Sequence, residues 1–280
     1  MLNSSLCTQA QLSSDAFRGW AIQIKENPDH LHRKLWEWCY ICQALHEHDM
    51  LRPGRRGLGF AVGQEPLPAF FASRGCEIVA TDLDPTQAEQ SGAWVSTNQH
   101  AASLDPLNKR GLCDPESFRR LVSFQFADMN HIPPNLRGFD FVWSSCSFEH
   151  LGNIELGKRF LVNMMACLKL GGIAIHTTEY NVQSNEDTVT SGGFVIFRRR
   201  DIEDMVRDLK QRGCWVAPLD FSLGDGPADQ IVEKEPYQHQ VHLKLELGGY
   251  VATSIGLIIQ KSSQVNLATR LGHWLRREGA

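Results

Sequence analysis

Residues 57–84 read GLGFAVGQEPLPAFFASRGCEIVATDLD, and this stretch decides the fold. Two apolar runs, GLGFAV and EIVAT, flank a helix-forming segment that begins near Pro66. Proline suits the first turn of a helix, because the N–H group that it lacks would have no partner there. We therefore predict a strand, a turn at Gly63, a helix, and a second strand that ends at Asp82.

The same alternation of apolar runs and helical patterns continues to about residue 260. The runs VSFQFAD, FDFVWSS and GGIAIHTT predict three further strands. Two more strands, CWVAPLDF and YVATSIGLIIQK, follow the helical segment RRRDIEDMVRDLKQRG. Buried parallel strands are typically continuous apolar runs, and helices cover both faces of their sheet. The sequence therefore predicts an α/β fold with a seven-stranded, mostly parallel sheet.

Residues 1–50 are predicted to form a helical extension ahead of this sheet. In HLHRKLWEWCYICQALHEHDM the apolar residues recur at steps of three and four, which is typical of a helix that packs on one face. We assign 51–262 to the main domain and 263–280 to a helical tail. Two segments, 84–121 and 224–247, are long for simple connections and are candidates for substrate contacts.

Composition excludes several classes of protein. At 280 residues, 42% hydrophobic and 21% charged, the chain can bury a substantial core. Its formal net charge of -4 gives no general attraction to nucleic acid or to anionic membranes. No apolar run reaches the roughly 18 residues of a membrane span, and the N-terminus lacks the pattern of a signal peptide. The eight cysteines lie mostly within apolar stretches, as reduced core cysteines do, so we expect a cytoplasmic protein.

Gly57, Gly59 and Gly63 have the spacing found in dinucleotide-binding loops. Such a loop needs an apolar strand before its first glycine, and the preceding residues MLRPGRR make a poor buried strand. We therefore assign Gly57 and Gly59 to the strand and Gly63 to the loop. Asp82, one helix and one strand later, is placed where a carboxylate accepts hydrogen bonds from both hydroxyls of a ribose.

With these residues the sequence resembles the class I S-adenosylmethionine-dependent methyltransferases, in a bacterial form with a degenerate first motif. The first motif of that family is an acidic residue followed by G-x-G-x-G. Overlaid on this sequence, Gly59 stands at the acidic position and AVGQE spans the glycines, of which only Gly63 is kept. Glu65 is the candidate replacement for the missing acid. The resemblance implies a Rossmann-like sheet whose last strand is antiparallel, and S-adenosylmethionine as the cofactor.

Later motifs extend the resemblance over about residues 55–260. FQFADMNHIP resembles the third-strand motif, which implies that Asp128 and Met129 contact the adenine. GFDFVWSSCSFEHL is similar to the fourth-strand motif, and ACLKLGGIAIHTTEY to the turn and strand that follow it. The predicted cofactor-binding residues are Gly59, Gly63, Glu65, Asp82, Leu83, Asp128, Met129 and Ser144.

Three residues that follow the fourth and fifth strands are candidates for catalysis. His150 in SFEHL could remove an acceptor proton, because imidazole titrates near neutral pH; the alternative is that it only fixes its loop. Glu179 and Tyr180 in HTTEYN are placed at the same edge of the sheet. His239 and His242 lack a third ligand with a recognisable spacing, so we expect no metal.

The expected function is methyl transfer from S-adenosylmethionine to a small-molecule or glycan acceptor, foremost at oxygen, by in-line displacement. In small-molecule methyltransferases an N-terminal helical segment commonly covers the substrate, so residues 1–50 are a candidate lid. We expect this acceptor as the partner, with no nucleic acid and no membrane span, and leave the oligomeric state open.

Two alternative functions stay open. A nicotinamide-dependent oxidoreductase would need a strand before Gly57 and a hydride-site group, and the sequence offers neither. A non-catalytic scaffold of the same fold would bind the cofactor without turning it over, and fold alone does not exclude it.

Overall fold

The structure is a computed structural model that describes residues 1–86 and 100–262. The tail predicted for 263–280 lies outside the described residues, as does the part of the first long connection at 87–99. The described α-helices are α1 (Gln9–Leu12), α2 (Asp15–Gln23), α3 (Arg33–Glu47), α4 (Leu67–Ser73), α5 (Pro115–Leu121), α6 (Ile154–Met164) and α7 (Arg199–Gln211). Short 3-10 helices span Asp105–Asn108, Phe148–His150 and Pro227–Gln230.

The described strands are β1 (Ser4–Ser5), β2 (Leu31–His32), β3 (Arg56–Gly59), β4 (Glu77–Asp82), β5 (Val122–Phe126), β6 (Phe139–Ser145), β7 (Leu168–Asn181), β8 (Trp215–Val216), β9 (Leu219–Asp220), β10 (Val232–Glu233), β11 (Val241–His242), β12 (Lys244–Leu247) and β13 (Tyr250–Gln260). Among the described residues, nine strands form one sheet in the order β10-β12-β13-β7-β6-β3-β4-β5, with β8 also paired to β13. The neighbours from β5 through β7 are parallel, and β13 runs antiparallel to β7. The predicted α/β fold with an antiparallel last strand is confirmed.

Strands β10 and β12 widen this sheet beyond the seven predicted strands, which correspond to β3–β8 and β13. Gly248 and Gly249 connect β12 to β13 with φ values of 58° and 84°. Positive φ at both central residues is what a tight two-residue hairpin requires. Part of the second long connection is therefore paired at the sheet edge, and the Gly-Gly pair in LELGGYVAT is the sequence signal for it.

Helices cover both faces of the sheet, as predicted. On one face, α6 and α7 bury Phe160 and Ile202 in a core shared with β7 and β13. On the other face, α3 and α4 bury Trp36 and Phe71 in a second core. Among the described helices, none is both long and apolar enough to span a membrane.

Helix α3 is the part of the N-terminal extension that packs most closely on the sheet. Its Tyr40 ring stacks on Trp36 with centroids 4.8 Å apart, and the Tyr40 hydroxyl donates a 2.7 Å hydrogen bond to the carbonyl of Asn3. The ring lies against β13 at Gly256, where a Cβ would come within 2.2 Å of it. Glycine at this position lets the ring reach the sheet.

Candidate functional site

A cavity of about 830 Å³ lies at the carboxyl ends of the parallel strands. Its walls come from the loops that follow β3, β4, β5 and β6, and from Lys34 and Trp38 of α3. Strand β3 lies between β4 and β6, so the direction of strand order reverses at this point. In open α/β sheets, ligands bind at such a switch point.

The glycines of β3 serve the packing of the sheet. A Cβ on Gly57 would lie 2.3 Å from Phe141, and one on Gly59 would lie 2.4 Å from Trp143. Gly59, a predicted cofactor residue, is buried and is not part of the cavity wall. The placement of both glycines in the strand is confirmed.

The loop after β3 turns through two residues with left-handed backbone. Ala61 has a φ of 47° and Gly63 a φ of 51°. Glycine adopts this conformation at little cost, whereas alanine resists it. The Gly63 N–H donates to Asp82 Oδ2 at 3.0 Å, which holds the predicted turn against the next strand.

The Asp82 carboxylate, at the end of β4, accepts several backbone hydrogen bonds. Besides Gly63, the N–H of Ala101 donates to its Oδ2 at 3.0 Å and the N–H of Leu83 to its Oδ1 at 2.8 Å. Burial raises the pKa of Asp82, and these hydrogen bonds oppose that rise. Each carboxylate oxygen has two lone pairs, so Oδ2 is fully used while Oδ1 keeps capacity for one hydroxyl donor from the cavity, which Asp82 lines together with Leu83.

Asp128 and Met129 line the same cavity from the loop after β5. Asp128 Oδ1 accepts from the N–H of Asn130 at 2.8 Å, and its Oδ2 lies 2.7 Å from His131 Nδ1. Met129 is buried beside this carboxylate. A thioether surface next to an oriented acceptor suits a flat heterocycle that carries an amino group.

Glu65 is a buried carboxyl on the cavity wall. Its Oε1 accepts a 2.7 Å hydrogen bond from Trp143 Nε1. Burial raises the pKa of Glu65 to about 8, and the bond from Trp143 offsets only part of that rise. Such a carboxyl is mostly protonated at neutral pH, and a cation placed beside it favours ionisation.

Glu37, which is fully buried, connects α3 to the strand ends beside the cavity. Its Oε2 accepts from Lys34 Nζ at 2.6 Å and from Ser145 Oγ at 2.9 Å. Its Oε1 accepts from Ser254 Oγ at 2.6 Å and from Cys146 Sγ at 2.9 Å. Burial raises the pKa of Glu37, but the neighbouring cations outweigh burial and hold the pKa at about 2. An ionised carboxylate therefore cross-links α3, β6 and β13.

Residues 58–176 match a protein family described as "Methyltransferase domain". The fold is similar to that of a protein from Galdieria sulphuraria proposed to be a sarcosine dimethylglycine methyltransferase. The two chains share 13% identity with a TM-score of 0.50, over 90% of this chain and 100% of the other, a likeness of fold alone. Residues 58–176 therefore form a methyltransferase domain.

Two further structures superpose less closely on this methyltransferase. A TehB-like SAM-dependent methyltransferase from Corynebacterium glutamicum has 14% identity and a TM-score of 0.42, over 84% of this chain and 100% of that one. A S-adenosylmethionine-dependent methyltransferase from Clostridium acetobutylicum has 12% identity and a TM-score of 0.45, over 91% of this chain and 95% of that one. A search of curated proteins finds no match to this chain.

The cofactor of the methyltransferase is S-adenosylmethionine, as predicted. The nicotinamide alternative required a strand ahead of Gly57. Residues 51–54 form bends and turns, and β3 begins only at Arg56. The glycine spacing therefore does not mark a dinucleotide site.

Two predicted site residues point away from the cavity of the methyltransferase. Ser144 Oγ lies 2.7 Å from His176 Nδ1 in the buried interior, and the next residue, Ser145, lines the cavity instead. Successive side chains of a strand point to opposite faces, so an assignment one residue out reverses the direction. Tyr180 is buried and stacks on Phe221 at 5.6 Å, outside the cavity wall.

His150 lines the cavity of the methyltransferase. Its Nδ1 lies 2.8 Å from the carbonyl oxygen of Gly193, and its Nε2 lies 3.8 Å from Glu149 Oε1. Burial lowers the pKa of His150 to about 4, so the ring is neutral at physiological pH. A neutral ring that donates from Nδ1 carries its lone pair on Nε2.

Glu179 is held in an ion pair and does not line the cavity. Its Oε1 lies 2.5 Å from Arg33 Nη1, and both side chains are mostly buried. Arg33 follows the residue that caps α3, so Glu179 fastens the start of that helix to β7.

The cavity residues that the sequence analysis missed include Lys34, Trp38 and Cys146. Lys34 and Trp38 are four residues apart in α3 and share one face, which is a pattern visible in RKLWEW. Cys146 directly follows β6 and has a φ of 47°, a conformation that only the structure reveals.

Proposed function

We propose that this methyltransferase transfers the methyl group of S-adenosylmethionine to a hydroxyl oxygen of a small-molecule or glycan acceptor. The observation that carries the proposal is His150, a neutral imidazole on the wall of the cavity. A hydroxyl needs a base as its oxygen attacks, whereas an already neutral amine or a thiolate does not. The volume of about 830 Å³ falls in the range of cofactor and small-ligand sites.

We propose that the cofactor binds on the side of the cavity that carries the acidic side chains. Asp82 accepts a hydrogen bond from a ribose hydroxyl through Oδ1, and Leu83 packs beside the ribose. Asp128 accepts from the adenine amino group, with Met129 against the ring. These side chains follow β4 and β5, the strands on one side of the switch point, as in other nucleotide sites of this architecture.

Gly63 and Glu65 are proposed to receive the methionine part of the cofactor. Gly63 brings the backbone close to the ligand, and Glu65 faces the α-ammonium group. A buried carboxyl with a raised pKa ionises beside such a cation and then forms a charge-assisted hydrogen bond to it.

The part of the cavity that is lined by His150, Cys146 and Lys34 is the proposed binding site of the acceptor. S-adenosylmethionine supplies the activated methyl group on its sulfonium. The acceptor oxygen forms a bond to this carbon as the carbon–sulfur bond breaks, the bonding electrons pass to sulfur, and the hydroxyl proton passes to His150 Nε2. The products are a methyl ether, S-adenosylhomocysteine and an imidazolium, which loses its proton to solvent. The protein mainly aligns the two reactants and excludes water.

Methyl transfer from labelled S-adenosylmethionine to sugars, nucleotide sugars, phenols and amines would test the proposal. Mass spectrometry of the products assigns the methylated atom. We expect ethers, and His150→Gln should lower their formation while His48→Asn, a histidine outside the cavity, should not. Products methylated only at nitrogen or carbon would contradict the assignment of oxygen.

A further inference from the structure

Three histidines meet where the N-terminal extension contacts the second long connection. Strand β2 pairs in parallel with β11, and His32 is the registered partner of His242. One ring nitrogen from each of His32, His239 and His242 lies within 4.8 Å of the others. The ring centroids of His32 and His242 are 4.5 Å apart, and those of His239 and His242 are 4.6 Å apart. None of the three lines the cofactor cavity.

Two histidines of the cluster are shielded from solvent, since His242 is buried and His32 is partly buried. Burial and the nearby rings of His242 and His30 together lower the pKa of His32 to about 3. Burial also lowers the pKa of His242. Neutral imidazole is the form that binds metal ions, because its lone pair is not occupied by a proton.

Glu233 orients this cluster. Its carboxylate is hydrogen-bonded to His242 Nδ1, and its Oε1 accepts from the backbone N–H of His239 at 2.7 Å. Histidines that ligate metals almost always donate their other ring N–H to a carboxylate or carbonyl, which fixes the tautomer. With Nδ1 engaged by Glu233, His242 carries its lone pair on Nε2.

We propose that His32, His239 and His242 bind a divalent transition-metal ion, with zinc as the best fit. Zinc accepts three imidazoles and leaves a fourth tetrahedral position to water. Nitrogens in such a site are about 3.4 Å apart, so the three rings must move together by about 1 Å. His239 is exposed and lies in the connection, where such a movement meets little resistance. The sequence analysis expected no metal because the third ligand comes from the far N-terminal part of the chain.

Metal binding competes with one existing hydrogen bond. His32 Nδ1 accepts from the N–H of Lys34 at 3.0 Å and thereby caps α3. Coordination through either ring nitrogen displaces this bond, since coordination through Nε2 moves the ring proton to Nδ1. A single capping bond is weak beside three zinc–imidazole bonds, so coordination prevails. The ion then ties α3, and with it Lys34 and Trp38 of the cavity wall, to the second connection.

His32→Asn and His239→Asn test this site in the full chain. Asparagine is a good helix N-cap, so it replaces His32 without uncapping α3. It also tolerates the left-handed backbone of His239, whose φ is 57°. We expect chelator-treated parent protein to take up one zinc ion per chain in competition with a chromogenic chelator. Either variant should weaken binding by more than about 100-fold, and Glu233→Gln by about 10- to 100-fold.

His48→Asn is the matched control, because it removes an imidazole outside the cluster, and it should bind zinc like the parent. The eight free cysteines are a second possible source of zinc ligands. A cobalt-substituted sample separates the two sources, since thiolate ligands add a charge-transfer band that imidazoles lack. Absence of zinc uptake by the parent, undiminished binding in both asparagine variants, or a thiolate band would each overturn the proposal.

Discussion

Trp143 explains why the first motif of this methyltransferase is irregular. Its ring leaves no room for a Cβ at Gly59, the position where the family carries an acidic residue. The same indole donates a hydrogen bond to Glu65. One side chain therefore excludes a carboxylate at residue 59 and orients the carboxyl at residue 65. On our proposal, Glu65 takes the role of the acidic residue that the family carries at the position of Gly59.

We expect Glu65→Gln to stabilise the empty protein. The pKa of Glu65 is about 8 in the fold against an ordinary value of 4.5. Glu65 therefore contributes stability below pH 4.5 that is lost as the pH rises to about 8, about 3 kcal/mol of it by pH 7. Glutamine still accepts from Trp143 and does not titrate. Thermal unfolding at about pH 5 and pH 8 should show that the parent loses more stability with rising pH than the variant does.

The same substitution should weaken the cofactor complex. If the ammonium group ionises Glu65, binding near pH 7 releases up to one proton from the parent and fewer from Glu65→Gln. Calorimetry with S-adenosylhomocysteine in buffers of different ionisation enthalpy measures this release. We expect the variant to bind about 10-fold more weakly, as for loss of a charge-assisted hydrogen bond. Equal proton release by both proteins would remove Glu65 from the proposed ammonium site.

His150→Gln should lower kcat for a hydroxyl acceptor by about 100- to 10,000-fold, the usual contribution of a general base. Cofactor binding should change little, because the residue acts on the acceptor side. In the parent, kcat should stay level on mild acidification and fall as the pH approaches the His150 pKa of about 4. A pH profile of kcat measures both effects. A variant with an unchanged profile would show that His150 only fixes its loop.

Among the elements, α3 joins the core, the buried ionic network and the cavity wall. Its Tyr40 packs on β13, Glu37 binds β6 and β13, and Lys34 and Trp38 face the cavity. A helix with these three sets of contacts is an integral part of the domain. The segment that the sequence analysis named as a candidate lid is therefore anchored to the domain through α3. The proposed metal site would also anchor the first turn of α3.

The contact between α3 and β13 can be tested with one added methyl group. Gly256→Ala places a Cβ against the Tyr40 ring, which cannot retreat because its hydroxyl is bonded to Asn3. We expect a loss of about 1–3 kcal/mol in the free energy of unfolding, the cost of overpacking a core. Gly19→Ala in α2 is the control, since nothing lies within 4 Å of its Cβ and alanine favours helix. Urea denaturation measures both, and equal effects would contradict the packing argument.

At the scale of the whole molecule, the N-terminal extension and the sheet share one hydrophobic core. Trp36, Tyr40 and Ile41 belong to the same buried cluster as Phe141 and Ile175 of the sheet. Strand β1 also pairs with β9, which follows α7. Residues on both sides of the boundary predicted at residue 50 therefore pack in the same hydrophobic core.

We expect the full chain to unfold in a single cooperative transition. Calorimetric and van't Hoff enthalpies should agree, because no described part of residues 1–50 has a core of its own. A chain that lacks residues 1–50 should fail to fold, since it exposes the surface that α3 covers. Differential scanning calorimetry and circular dichroism test the two statements. A truncated chain that unfolds cooperatively and binds S-adenosylhomocysteine would contradict both.

The order of strands and helices follows from the sequence alone, as does the placement of Asp82 and Asp128 at or just after strand ends. Apolar runs and turn residues are local patterns, and parallel strands bring their carboxyl ends to one edge whatever the details of packing. The motifs around these residues were therefore enough to predict the fold and the cofactor. The turn at Gly63 was predicted for the same reason, because a turn depends on residues that are adjacent in the sequence.

Three-dimensional packing is needed to show which side chains face the cavity and which partners distant residues meet. Ser144 and Ser145 differ by one residue but point to opposite faces, and apolar patterning does not fix which of two serines faces inward. Glu37 gains four partners, one each from α3, β6 and β13 and the fourth from Cys146 after β6, and His32 meets His239 and His242 across most of the chain. These contacts depend on how α3 docks on the sheet. That docking is set by long-range packing of Tyr40 on Gly256, which no local pattern encodes.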